Sequence, residues 1–135
     1  MPAELVYFDV VQPLVQVVQT NDESGHTPEV HTVSAIVTFT PSITEVQSAD
    51  LGATVMLRPI TGRIVNGELK AIDGTPGIEL LANTTELGID GPLTYRVDYS
   101  RVVFDGGNRA ISSFRFQAPT EATTIDLNTV ARLEL

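Results

Sequence analysis

The chain has 135 residues, 42 % hydrophobic and 19 % charged, enough apolar material for one packed domain and too little length for two. Its formal net charge of −9 repels phosphate backbones and anionic lipid, which argues against nucleic-acid binding and membrane-surface docking. There is no cysteine, hence no disulfide framework or thiolate metal site, and no apolar run long enough for membrane insertion.

Residues 5–18 are mostly apolar: Leu5, Val6, Tyr7, Phe8, Val10, Val11, Leu14, Val15, Val17 and Val18. Pro13 cannot donate to a ladder, so the run reads as a strand pair or an extended arm broken at Gln12-Pro13. Such a segment either closes the domain's own sheet or clasps a neighbour. We read residues 1–18 as an edge strand or assembly arm. Its candidate assembly contacts are Leu5, Tyr7, Phe8, Val10, Leu14 and Val17. The N-terminus lacks a basic region followed by an apolar stretch, so no signal peptide is expected.

Asn21 to Pro28 is polar and turn-rich, a loop. From Val30 to Thr40 the period is two, with Val33, Ala35, Val37 and Phe39 on one face; this predicts a half-buried strand. Pro41 to Leu51 reads as a connection with one helical turn near Ser48. Thr54 to Ile60 reads as a strand and Thr61 to Ala71 as a hairpin. Asn66-Gly67 is the turn signal, because a type I′ turn needs positive φ at both central positions. Asp73-Gly-Thr-Pro-Gly is a second turn, followed by a strand over 78–82 and a loop over 83–91. Leu93, Tyr95, Val97 and Tyr99 alternate with polar residues, as do Phe114 and Phe116 farther on, and both segments predict strands. The Arg101-to-Asn108 loop between them offers Tyr99, Arg101, Phe104 and Asn108 as an exposed contact loop. Thr123 to Leu135 is the one candidate helix, with Ile125, Leu127, Val130, Ala131 and Leu133 approximating a stripe.

Residues that carry chemistry are sparse. His26 and His31 flank Glu29, but no second His–carboxylate pair accompanies them, so no metal is expected. The serines lie outside any nucleophile elbow, and Asp73, Asp90 and Asp105 each precede a glycine, as turns require. No glycine loop cradles phosphate, and no cofactor is expected. Lys70, the sole lysine, reads as the guard of a hairpin edge and not as half of an isopeptide staple.

The fold these elements predict is all-β, an antiparallel sandwich of about seven to nine strands, immunoglobulin-like or transthyretin-like, as one domain over 1–135. Gly62-Arg-Ile-Val-Asn-Gly followed by Gly74-Thr-Pro-Gly-Ile-Glu-Leu-Leu-Ala resembles the opening of transthyretin-like and carboxypeptidase-regulatory-like sandwiches. The wider stretch 60–135, with Phe114-Arg-Phe-Gln-Ala-Pro and then Ile125-Asp-Leu, resembles small minor tail proteins of phages that infect actinobacteria. That resemblance implies a non-enzymatic virion protein, assembled in the host cytoplasm, at or near the tail tip. Its expected partners are copies of itself, other virion proteins and a host surface glycan. The alternatives are a head decoration protein and a carbohydrate-binding or adhesive module.

Overall fold

The computed structural model describes residues 4–19, 27–104 and 107–134. Among them the chain forms thirteen strands and one 3-10 turn, Thr85–Leu87. The expectation of an all-β sandwich holds, with more and shorter strands than the sequence suggests.

The alternating segment after Val33 becomes the strand β4 (Ser34–Pro41). Ala35, Val37, Phe39 and Pro41 are buried and the residues between them half-exposed. It lies at the middle of a six-stranded sheet with β7 (Ile60–Val65), β8 (Glu68–Lys70), β10 (Thr94–Phe104), β11 (Gly107–Asn108) and β12 (Phe114–Gln117). β4 is flanked by β7 and β10, and every pairing in this sheet is antiparallel.

The second sheet corrects two expectations. β1 (Tyr7–Val11) is its central strand, antiparallel to β9 (Ile78–Leu81) and parallel to β13 (Thr124–Asp126). Residues 7–11 are therefore neither an edge nor an arm. Nor is the C-terminal segment a helix. The β-branched Thr124 and Ile125 suit a strand, and the main chain around them is held by β1: Asp9 N–H donates to Thr123 O at 2.9 Å, and Leu127 N–H to Val11 O at 2.9 Å. After Asp126 the chain turns, its carboxylate accepting from Asn128 N–H in an Asx turn.

Two ribbons complete the fold. β2 (Gln16–Gln19) pairs with β3 (Glu29–Thr32), so β1 and β2 take different partners across the break at Gln12-Pro13. β5 (Glu45–Ser48), in a stretch expected as a loop with a helical turn, pairs with β6 (Ala53–Met56), which overlaps the strand expected over 54–60. Val46 opposite Val55 turns inward, which puts Glu45 and Met56 on the outer face.

The sheets meet face to face over Phe8, Val10, Ile78 and Leu80 on one side and Val37, Phe39, Ile64, Val97 and Phe116 on the other, all buried. The rings of Phe8, Tyr95 and Phe116 form a cluster, with Phe8 edge-on to both partners at 6.0 and 6.2 Å. The Tyr95 hydroxyl crosses the sandwich to donate to Leu81 O at 2.9 Å. Burial pushes the Tyr95 phenol up to about 12, against the opposing pull of that hydrogen bond.

Gly62, on β7, lies against the Ile78 side chain of the other sheet. A Cβ there would run into Ile78 Cδ1 across the sandwich and lie 2.9 Å from Lys70 O on the neighbouring β8, so a side chain would force the Ile78 side chain and the β8 backbone to shift. The Asn66-Gly67 turn has the expected positive φ at both residues, 50° and 84°. Its tip is docked as well as turned: Val15 N–H donates to Gly67 O, Gly67 N–H to Val33 O and Val33 N–H to Val15 O. Main-chain bonds also stitch the sheets at both edges, Gly77 N–H and Gln12 O meeting Leu69, and Arg115 exchanging bonds with Leu133.

Candidate contact surface

β1 alternates strictly, and that alternation divides the expected N-terminal contacts. Phe8 and Val10 are 1 % and 0 % exposed and belong to the chain's own core. They are not surface contacts, because Tyr7 and Asp9 take the outer face. Val17 is half-buried against the core, under the β2–β3 ribbon. Leu5, Tyr7 and Leu14 remain exposed at 38, 48 and 47 %.

Leu5 and Tyr7 line an apolar cleft of about 170 Å3 together with Val55, Met56, Leu57 and Ile60. Met56 is 69 % exposed, the most exposed large apolar side chain among the described residues. Met56 and Ile60 fall in the strand expected over 54–60 without being singled out as contacts, and with 41–51 expected as a loop nothing sets which face of that strand Met56 takes. The signal was the alternation Glu45-Val46-Gln47-Ser48 answered by Thr54-Val55-Met56, which places Met56 outward once the hairpin is recognised. Arg58 and Glu79 also line the cleft, and among the described residues neither makes an ion pair.

A larger concavity of about 410 Å3 adjoins the cleft through Ile60 and Glu79. Asp9, Asp73 and Glu79 line it, and Asp9 lies directly opposite Glu79 across the β1–β9 pair. Asp73 is held below the usual carboxylate range by hydrogen bonds from Thr75, whose backbone N–H donates at 2.9 Å. Among the described residues no three acidic, His or Cys side chains group to hold a metal ion. His31 lies 3.0 Å from Glu29 on β3, and His26 is outside the described residues.

The second candidate patch is only partly at the surface. Tyr99 is packed against the core, its hydroxyl donating to Gln12 Oε1 at 2.8 Å, and burial raises its phenol pKa. Gln12, 5 % exposed, in turn donates to Asn128 Oδ1, and Asn128 donates to Leu14 O. Tyr99 is thus part of a polar link between β10, the N-terminal segment and the C-terminal turn. Phe104 is half-buried, and Arg101 and Asn108 are exposed.

A β-bulge explains why Tyr99 and Arg101 differ. Ser100 pairs with Ile36 and Val103 with Ser34, so β10 carries one extra residue. Arg101 absorbs it at φ 51°. The inward face shifts from the odd residues Tyr95 and Val97 to the even residue Val102. Lys70 stands 3.9 Å from Glu68 on β8 and is half-exposed, but the outer edge of β8 that it was expected to guard is already bonded to Gln12 and Gly77.

No family model, no curated protein and no solved structure matches the chain.

Proposed function

We propose that the chain is a structural component of a phage particle, a minor tail or tail-tip protein that acts by contact and not by catalysis. The observation that carries this reading is the apolar cleft of Leu5, Tyr7, Met56 and Ile60, exposed on the outer faces of β1 and β6 and at the start of β7. Apolar side chains that cluster at a surface mark a place where another macromolecule sits. The body behind them is a sandwich stitched by main-chain bonds at both edges, which suits a part that bears load in an assembly. The resemblance of residues 60–135 to minor tail proteins supports the choice of particle and location.

The aromatic side chains favour an assembly part over a sugar-binding module. Phe8, Phe39, Tyr95, Phe114 and Phe116 are core, and Tyr7 alone among the described aromatics is exposed. A stacking platform for a glycan ring needs open aromatic faces. Immunogold labelling of purified particles tests the proposal. Label at the tail tip is expected. Label on the head would substitute the decoration role, and absence from particles would refute a virion role.

A further inference from the structure

We propose that the cleft of Leu5, Tyr7, Met56 and Ile60 is the contact between two copies of this chain related by a two-fold axis. This rests on the assembly reading above and names the partner at that same surface. A two-fold contact is self-complementary: whatever one copy offers, the other must receive, and the reverse. The cleft has both halves of such a pair. It offers a projecting apolar side chain, Met56, at 69 % exposure. Beside it is an open hollow of about 170 Å3 that Met56 itself walls together with Leu5, Tyr7, Val55 and Ile60. Met56 of each copy enters the hollow of the other.

The charges follow the same rule. Arg58 and Glu79 line one cleft with opposite signs and carry no ion pair within the chain among the described residues. A partner of one sign would leave one of them facing its like or unpaired. A second copy, turned by the two-fold, brings its Glu79 to Arg58 and its Arg58 to Glu79. Attraction at these two points also offsets part of the repulsion between bodies of net charge −9.

Sedimentation velocity of the full chain over a micromolar concentration series tests this. The expected result is a species of twice the 14.5 kDa chain mass. Met56→Asp should weaken pairing at least tenfold, while its circular-dichroism melt matches that of the parent at concentrations where both are monomeric, since in the single copy the side chain is mostly in solvent. Arg58→Glu should weaken it too, and Arg58→Glu with Glu79→Arg should restore it. A chain that stays monomeric throughout, even if it captures a different partner at the cleft, overturns the proposal. So does a dimer indifferent to Met56→Asp, or one that the paired charge reversal fails to recover. None of these results bears on whether the protein labels particles, so the two readings fail separately.

Discussion

Phe8→Ala tests whether the N-terminal strand is part of the fold. Phe8 is 1 % exposed, and its ring lies edge-on to Tyr95 and Phe116, at centroid distances of 6.0 and 6.2 Å. Truncating a buried Phe costs about 3–5 kcal/mol, and the lost ring pairs favour the upper half of that range. An unfolding entropy of about 2.1 cal/mol/K per residue comes to about 0.28 kcal/mol/K for this chain, so a loss near 4 kcal/mol lowers Tm by about 14 °C. Asp9→Ala is the control on the same strand. Its side chain is on the outer face opposite Glu79, and its removal should change stability by no more than about 0.5 kcal/mol. Thermal melts followed by far-UV circular dichroism give both numbers. If Phe8→Ala melted within about 2 °C of Asp9→Ala, residues 7–11 would not be a core strand, and an arm packed on other molecules would be the better account.

Gly62→Ala should destabilise by at least the 1–3 kcal/mol typical of overpacking, since the new methyl meets Ile78 and the Lys70 carbonyl. Adding Ile78→Val, which deletes the clashing Cδ1, should recover part of that loss in a chemical-denaturation series, and no recovery would place the strain elsewhere. Replacing Asn66-Gly67 by Val-Val puts β-branched residues at φ 50° and 84° and drives a Cβ to 3.0 Å from Val15 O; hydrogen exchange should show Val15 and Val33 losing protection together. Equal protection in the variant would contradict the docked type I′ turn. Tyr95 is a neutral acid whose folded pKa is raised, so the unfolded chain releases its proton first. Its stability contribution is whole below about pH 10 and falls as the pH rises toward 12. Tyr95→Phe should flatten that alkaline slope in melts at stepped pH, and an unaltered slope would contradict the buried phenol.

The parts of the fold that were legible in the sequence are those set by nearest neighbours. The β4 face of Val37 and Phe39 follows from period two alone, and the β7–β8 hairpin from one dipeptide that tolerates positive φ. What was not legible depends on partners distant in the chain. β1 reads as a loose apolar run until β9 and β13 flank it, and β13 pairs with it in parallel across more than a hundred residues. The apparent helical stripe of the C-terminal segment is a coincidence of spacing, overridden once β1 accepts and donates main-chain bonds there. The bulge at Arg101 has no glycine to announce it, so a loop was expected from Arg101 with Tyr99 exposed beside it, when β10 runs on to Phe104 and Tyr99 packs on the core and bonds Gln12. Of the surface, Leu5 and Tyr7 were visible as apolar residues, whereas Met56 depended on a hairpin that short, polar strands conceal.

A structural protein is defined by what covers its surface, so an electron cryomicroscopy map of the assembled particle decides whether this chain is one. Density for this sandwich is expected in the tail region, with the cleft of Leu5, Tyr7, Met56 and Ile60 covered by protein in every copy. A map without the chain, or one in which that cleft faces solvent throughout, would contradict the proposed role.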